Sequence, residues 1–385
     1  MKKLLTTLLT ATAVAGSLFA LTSCEAKTYE LALITDVGDI NDKSFNQTSW
    51  EALRDYAEEK NLSYNYYRPT EDSDDARIKS IEQAIKKGAK ICVCPGYLFN
   101  GAIYNVQDKH PDVKFVLLDG TPSITIKNGD KDETKEHVAD NTVSILYQEQ
   151  ISGFAAGYAA VKDGYKKLGY VGGMAIPSVQ RFGTGYIQGA ELAAKEDKLT
   201  DVEVKYYYAG AFQSTPAATA TATSWYSTGT EAIFACGGKV YQSVDEACKK
   251  AEANKKWIGV DVDQIAENPE RVLTSATKDL RVSVQSTLEI YSSNTWNSIG
   301  GKSFTLGLGA KLGNLNEKDY VGLPTSDTSW KFTKFSKENY NTLLTKIINQ
   351  EIKIDGDVTK SPTSTQIKID WVTNFDGTTK STENK

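Results

Sequence analysis

The feature that most constrains this 385-residue chain is an alternation of short buried runs with amphipathic stretches, written twice along its length. Tyr29 to Thr35 is an apolar run followed by helical spacing from Phe45 to Lys60. Leu62 to Tyr67 comes next, then Asp74 to Lys87, with Ile78, Ile81, Ala84 and Ile85 on one helical face. Lys90 to Cys94 precedes a helix over Leu98 to Asp108, which leads to the strand Lys114 to Leu118. The pattern restarts after Tyr147: helix Gln150 to Val161, strand Leu168 to Gly173, helix Val179 to Lys195, strand Val202 to Tyr208, strand Ala232 to Gly238 and strand Lys256 to Val260. Buried runs of this length alternating with helices predict parallel sheets covered by helices on both faces. Two such series predict two doubly wound α/β lobes facing each other across a cleft, a favoured place for a small molecule. Gly153 and Gly157, four apart, suit close helix packing.

The expected boundaries follow the restart. Residues 25–146, with a return segment at 280–313, form one lobe; residues 147–279, with 314–376, form the other; 377–385 is a polar tail. Glu317 to Ser329 reads as loop and Phe335 to Ile352 as helical.

In open α/β sheets, ligands bind beyond the carboxyl ends of strands. After the first strand stand Asp36, Asp39, Asn41, Asp42, Ser44 and Asn46, a dense polar set around one aromatic, Phe45. Asp119, Phe212, Gly238 and Asp261 follow later strands. Carboxylates accept hydrogen bonds from sugar hydroxyls or the N–H edge of a base, and two aromatics from opposite lobes can sandwich a flat ring. Each residue also has a plainer reading: Asp36 or Asp261 as a helix cap, Phe45 as a core residue of its own helix. Their convergence on one side favours a site.

Residues 1–24 form a targeting segment: Lys2 and Lys3, an uncharged apolar run to Ala20, then Leu21-Thr22-Ser23-Cys24. That ending has the form of a bacterial lipoprotein lipobox, which makes Cys24 the lipidated residue and tethers the mature chain outside the cytoplasmic membrane. An ordinary cysteine behind a secretory signal is the alternative. No later run approaches the ~20 apolar residues of a membrane helix. A net charge of −5 argues against nucleic acid as a partner. Cys92, Cys94 and Cys236 read as small core hydrophobes, with neither zinc spacing nor a disulfide framework.

Catalytic and cofactor motifs are missing: there is no Gly-x-Ser-x-Gly elbow, no Walker loop and no metal-binding histidine pair. Leu168 to Gly173 lacks dinucleotide spacing and reads as strand punctuation. The pairs Asp36/Asp39 and Asp261/Asp263 suit capping and ligand hydrogen bonds better than a divalent cation.

Thr35-Asp36-Val37-Gly38, Asn41 through Gln47, Leu118-Asp119-Gly120, Arg181-Phe182-Gly183 with Gly185, Gly259 through Gln264, and Thr274 through Lys278 occur in that order. Together they resemble the basic membrane protein family of lipoproteins, which includes the purine-nucleoside receptors of bacterial ABC importers. The resemblance covers roughly residues 29–310, with no counterpart placed beyond about residue 330. It implies a type I periplasmic-binding-protein fold with three hinge crossings, an ABC permease as partner, no cofactor, and a monomer. It further implies that Asp36 and Asn41 contact a base and that Asp119 helps read its edge. Phe45 and Phe212 would stack on its two faces, Asp261 would hold the ribose hydroxyls and Lys278 would lie near them, with Asn46 and Gly238 as further contacts. Asp39 departs from the family's Val-Gly-Gly-Ile-Asn, which carries glycine there. A receptor for another solute such as a sugar, a surface nucleoside hydrolase and a structural lipoprotein are the rival readings.

Overall fold

The computed structural model describes residues 27–36, 38–128 and 131–380; the targeting segment and Cys24 lie outside them. The first lobe is built from β1 (Leu31–Ile34), α1 (Phe45–Lys60), β2 (Tyr64–Tyr67), α2 (Asp74–Lys86), β3 (Ile91–Pro95), α3 (Asn100–Val106), β4 (Lys114–Leu118), a hairpin of β5 (Ser123–Asn128) and β6 (Lys131–Glu136), and β7 (Thr142–Tyr147). The chain then enters the second lobe through α4 (Glu149–Asp163), β8 (Lys167–Gly172), α5 (Pro177–Glu196), β9 (Glu203–Tyr208), α6 (Pro216–Ser227), β10 (Ala232–Cys236), α7 (Val240–Lys250), β11 (Lys256–Asp261) and β12 (Val272–Lys278). It returns to the first lobe for α8 (Leu280–Ser292), which packs on α1, and for β13 (Lys302–Leu306). It crosses once more to β14 (Val321–Gly322), α9 (Lys337–Ile348) and β15 (Lys368–Trp371).

Three crossings therefore join the lobes: Tyr147 to Glu149, Lys278 to Leu280, and Leu306 to Val321. The first sheet runs β13-β7-β4-β3-β1-β2, all parallel. The second runs β14-β12-β11-β10-β8-β9-β15, parallel except for β14. In each, the order reverses beside the lobe's first strand, β1 in one and β8 in the other, so each lobe presents its topological switch point at a carboxyl edge.

Local chemistry explains the elements that matter for the site. The central strands are buried from end to end, as parallel strands covered on both faces must be. At the start of α1 the Asp42 carboxylate accepts the backbone N–H groups of Ser44 (2.9 Å), Asn46 (2.9 Å) and Gln47 (3.0 Å), so the helix is capped from three residues before its first residue. Where α4 crosses α5, a β-carbon on Gly153 or Gly157 would stand 2.1 Å from the carbonyl oxygen of Phe182 or Tyr186. Only glycine permits that backbone approach.

Sequence and structure differ mainly where local signals were weak. The 123–136 hairpin has no buried face of its own and left no apolar pattern to read. Within 317–329, expected as loop, β14 pairs with the end of β12. At the far end β15 adds a parallel edge strand beside β9, with Trp371 packed on Tyr206 at 4.5 Å between ring centres. The four described cysteines are free and buried, and burial alone pushes the Cys92 thiol up to about 12.

Candidate functional site

A cavity of about 220 Å³ lies between the carboxyl edges of the two sheets. Asp36, Phe45, Asn46 and Asp119 reach it from the first lobe; Phe212, Gly238, Asp261 and Lys278 reach it from the second. Eight of the nine ligand-binding residues expected from sequence thus line one cavity. The ninth, Asn41, does not. It is exposed and outside the lining, because its N–H turns back onto Asp39 Oδ1 (2.7 Å) in a tight local turn. In that loop Asp42, not Asn41, borders the cavity.

The loop after β1 is held by one bracket. The Asn46 side-chain amide donates to Asp36 Oδ1 (2.9 Å) and to Asp42 Oδ2 (3.0 Å), while its carbonyl accepts the Asp36 N–H (3.3 Å). Gly38 N–H donates to the same Asp36 oxygen (2.6 Å), which leaves Oδ2 of Asp36 to the cavity. Burial pushes the Asp36 pKa up, against these hydrogen bonds. Burial also raises Asp42, to about 6, despite the N–H groups that it caps.

Asp119 and Asp261 occupy equivalent places, each at the carboxyl end of the fourth strand of its lobe. Both adopt left-handed backbone, with φ of 59° and 65°. A non-glycine residue pays roughly 1–2 kcal/mol for that conformation, and residues held so cluster at ligand sites. Asp261 Oδ2 accepts the Ser44 hydroxyl (2.6 Å) from the opposite lobe.

Lys278, the last residue of β12 and the start of the second crossing, is the centre of a buried charge cluster. Its ammonium pairs with Asp119 across the cleft and stands 3.5 Å from Asp261 Oδ1 and 3.6 Å from Glu149 Oε1. Glu149, wholly buried at the first crossing, accepts Arg181 Nε at 2.6 Å. Burial works against the Lys278 charge, but the three carboxylates outweigh it and raise its pKa. Three carboxylates against two cations leave a surplus negative charge, and burial, together with Glu149 and Asp261, raises Asp119 to about 7 against the pull of Lys278. Oδ1 of Asp119 has no hydrogen-bond partner although buried.

The aromatic plates are each backed on one side. Lys278 Nζ sits 4.6 Å from the centre of the Phe45 ring, a cation–π contact. The Phe212 ring lies against the glycine exits of β8 and β10: a β-carbon on Gly173 would come within 2.5 Å of it and one on Gly237 within 2.9 Å. The glycine exit of β8, read from sequence as punctuation, thus seats a cavity aromatic together with Gly237 after β10. Glu149 and Arg181 escaped the sequence reading as site residues, since a glutamate opening a helix and an arginine inside one are ordinary there. Their signal is spatial: burial beside Lys278.

Among the described residues no group of three or more His, Cys, Asp or Glu side chains is placed to hold a metal ion, and no helix is long and apolar enough to cross a membrane. Two α/β lobes, three crossings and a cavity between their carboxyl edges give the two-lobed architecture that solute-binding proteins share. The family follows from the match of residues 29–358 to the ABC transporter substrate-binding proteins described as PnrA-like: the chain belongs to that family, which is one of substrate-binding proteins and not of enzymes. The match runs past residue 330, so that segment has a counterpart up to 358, contrary to the narrower span read from motifs. The chain is 32% identical over 255 residues to the ABC transporter nucleoside-binding protein BmpA of Lactococcus lactis subsp. cremoris, covering 63% of this chain and 67% of that protein. It is 30% identical over 336 residues to Basic membrane protein A1 of Borrelia garinii subsp. bavariensis, covering 86% and 89%. An ABC transporter solute-binding protein from Aeropyrum pernix K1 shares the fold, with a TM-score of 0.63, 22% identity, and coverage of 85% and 88%.

Proposed function

We propose that this chain captures a nucleoside, with a purine base, and delivers it to an ABC permease while tethered outside the cytoplasmic membrane by lipid at Cys24. The observation that carries the ligand class is the presence of two aromatics, Phe45 from one lobe and Phe212 from the other, in one cavity that is also lined by the carboxylates of Asp36, Asp119 and Asp261. The base stacks between the plates, Asp36 Oδ2 and Asp119 accept from its N–H edge, and Asp261 with Lys278 engages the ribose hydroxyls. Asn46 acts through Asp36 by holding it, and Gly238 gives the backbone room beside Phe212. The nucleoside-binding relative from Lactococcus lactis supports the ligand class. The lipobox, and a relative named a membrane protein, support the tether.

Segments 25–146 with 280–313, and 147–279 with 314–376, move as two bodies about the three crossings, and closure of a monomer over the ligand presents the surface that the permease reads. Titration calorimetry of the mature protein with inosine, guanosine, adenosine, cytidine and ribose tests the ligand. Stoichiometric purine-nucleoside binding, with inosine recovered unchanged, is expected. Ribose binding without nucleoside binding makes it a sugar receptor, and release of hypoxanthine makes it a hydrolase. Replacing Cys24 with alanine should free the protein from the membrane fraction, and a Cys24→Ala protein that stays bound defeats the tether.

A further inference from the structure

At the rim of the cavity, two residues outside its lining bind the lobes to each other. Asp39 Oδ2 accepts Lys239 Nζ at 2.8 Å, and the two residues stand 200 positions apart in sequence. Each is the chain neighbour of a cavity residue, Gly38 and Gly238 respectively. Neither side chain is fully exposed, at 34% for Asp39 and 20% for Lys239. Lys239 is also fixed from below, since its backbone N–H donates to the carbonyl of Phe212 (2.8 Å), the aromatic plate of the second lobe. Asp39 is fixed in turn by the Asn41 N–H on its other oxygen (2.7 Å). A second inter-lobe bond lies nearby, Gln264 Nε2 to the carbonyl of Lys43 (3.1 Å).

We propose that Asp39 and Lys239 form a rim latch that sets how long the closed protein retains its ligand. The pair exists only when the lobes meet, so its free energy belongs to the closed state and is lost on opening. Ligand enters the open state, where the two charges are apart. The latch therefore acts on dissociation and leaves association nearly unchanged. Being partly solvated, it weakens as salt screens it. An exposed or half-exposed ion pair of this kind contributes ~0.2–1 kcal/mol, which corresponds to an opening rate changed by about 1.5- to 5-fold. The ligand used to read it rests on the nucleoside proposal; the latch itself does not.

The test is stopped-flow dissociation of inosine from the mature protein at low salt, with the variants Asp39→Asn, Lys239→Gln, Asp39→Lys, Lys239→Asp and the double reversal of the last two. The neutral variants should release inosine about 1.5- to 5-fold faster, with the single reversals faster still. The double reversal should return toward the wild-type rate, and 0.5 M salt should erase the differences. Identical rates throughout, or no rescue in the double reversal, overturn the latch. If the wild-type protein binds no inosine, the nucleoside reading fails separately, and fluorescence transfer between dyes on the two lobes then reads the latch. Single reversals must lower the closed fraction and the double reversal must restore it; an unmoved fraction overturns the proposal.

Discussion

At the residue scale, the site works through side chains whose outward faces are free because their inward ones are occupied. Phe212 leans on glycine backbone and Phe45 on the Lys278 ammonium, so each offers a ring to the cavity without being free to tumble. Phe212→Ala should weaken inosine binding by about 1–3 kcal/mol, roughly 5- to 150-fold, with the melting temperature little changed; unaltered affinity in calorimetry would remove stacking at that wall. Asp119 supports a pH prediction. Its pKa stands near 7 in the folded protein against 3.8 ordinarily, because burial disfavours its charge and Glu149 and Asp261 add to that. The folded state therefore binds the proton more tightly than the unfolded one. The resulting stabilisation is complete below about pH 3.8 and is lost as pH rises through about 7. Urea denaturation from pH 5 to 8 should show wild-type stability falling more steeply than that of Asp119→Asn. Equal slopes would show that the cluster holds no extra proton.

At the element scale, the packing of α4 on α5 positions two members of the charge cluster, Glu149 at the start of one helix and Arg181 within the other. The small-residue spacing of Gly153 and Gly157 was legible as a close-packing signal, and the contact it makes is backbone to backbone. Gly157→Leu forces the helices apart and should destabilise by about 1–3 kcal/mol or more, with a matching loss of nucleoside affinity as Glu149 and Arg181 separate. A variant with wild-type urea midpoint would show the interface to be tolerant. The strand and helix runs were readable for a related reason: a parallel strand buried on both faces must be apolar along its length, whatever its neighbours. The β5–β6 hairpin and β15 lie at edges, where only one partner constrains them, and their sequences are correspondingly mixed.

At the scale of the whole molecule, the lobes touch through polar bonds, Ser44 to Asp261, Lys278 to Asp119, Gln264 to Lys43 and Lys239 to Asp39. Two of these use carboxylates assigned to the ligand, so binding and closure share the same groups. Small-angle scattering should show the radius of gyration falling when inosine is added to the wild-type protein. Asp261→Ala removes a ligand contact and the Ser44 bridge together, and should abolish that contraction while leaving the urea midpoint near wild type. A full contraction in the variant would place closure under other control.

The sequence by itself determined the alternation of strands and helices, its restart after Tyr147, and which polar and aromatic residues follow the strands, because those are demands of burial and chain direction acting over a few residues. It could not decide which of those residues meet. Asn41 and Asp42 are neighbours of similar chemistry, and only the turn that points one to solvent and the other to the cavity separates them. Lys278, Asp119 and Glu149 come from three distant segments, and their shared burial exists only once the crossings bring the lobes together. Asp39, the residue at odds with the family's loop, found its partner 200 positions away. Charge pairing depends on distance in space, and that distance is set by the tertiary fold.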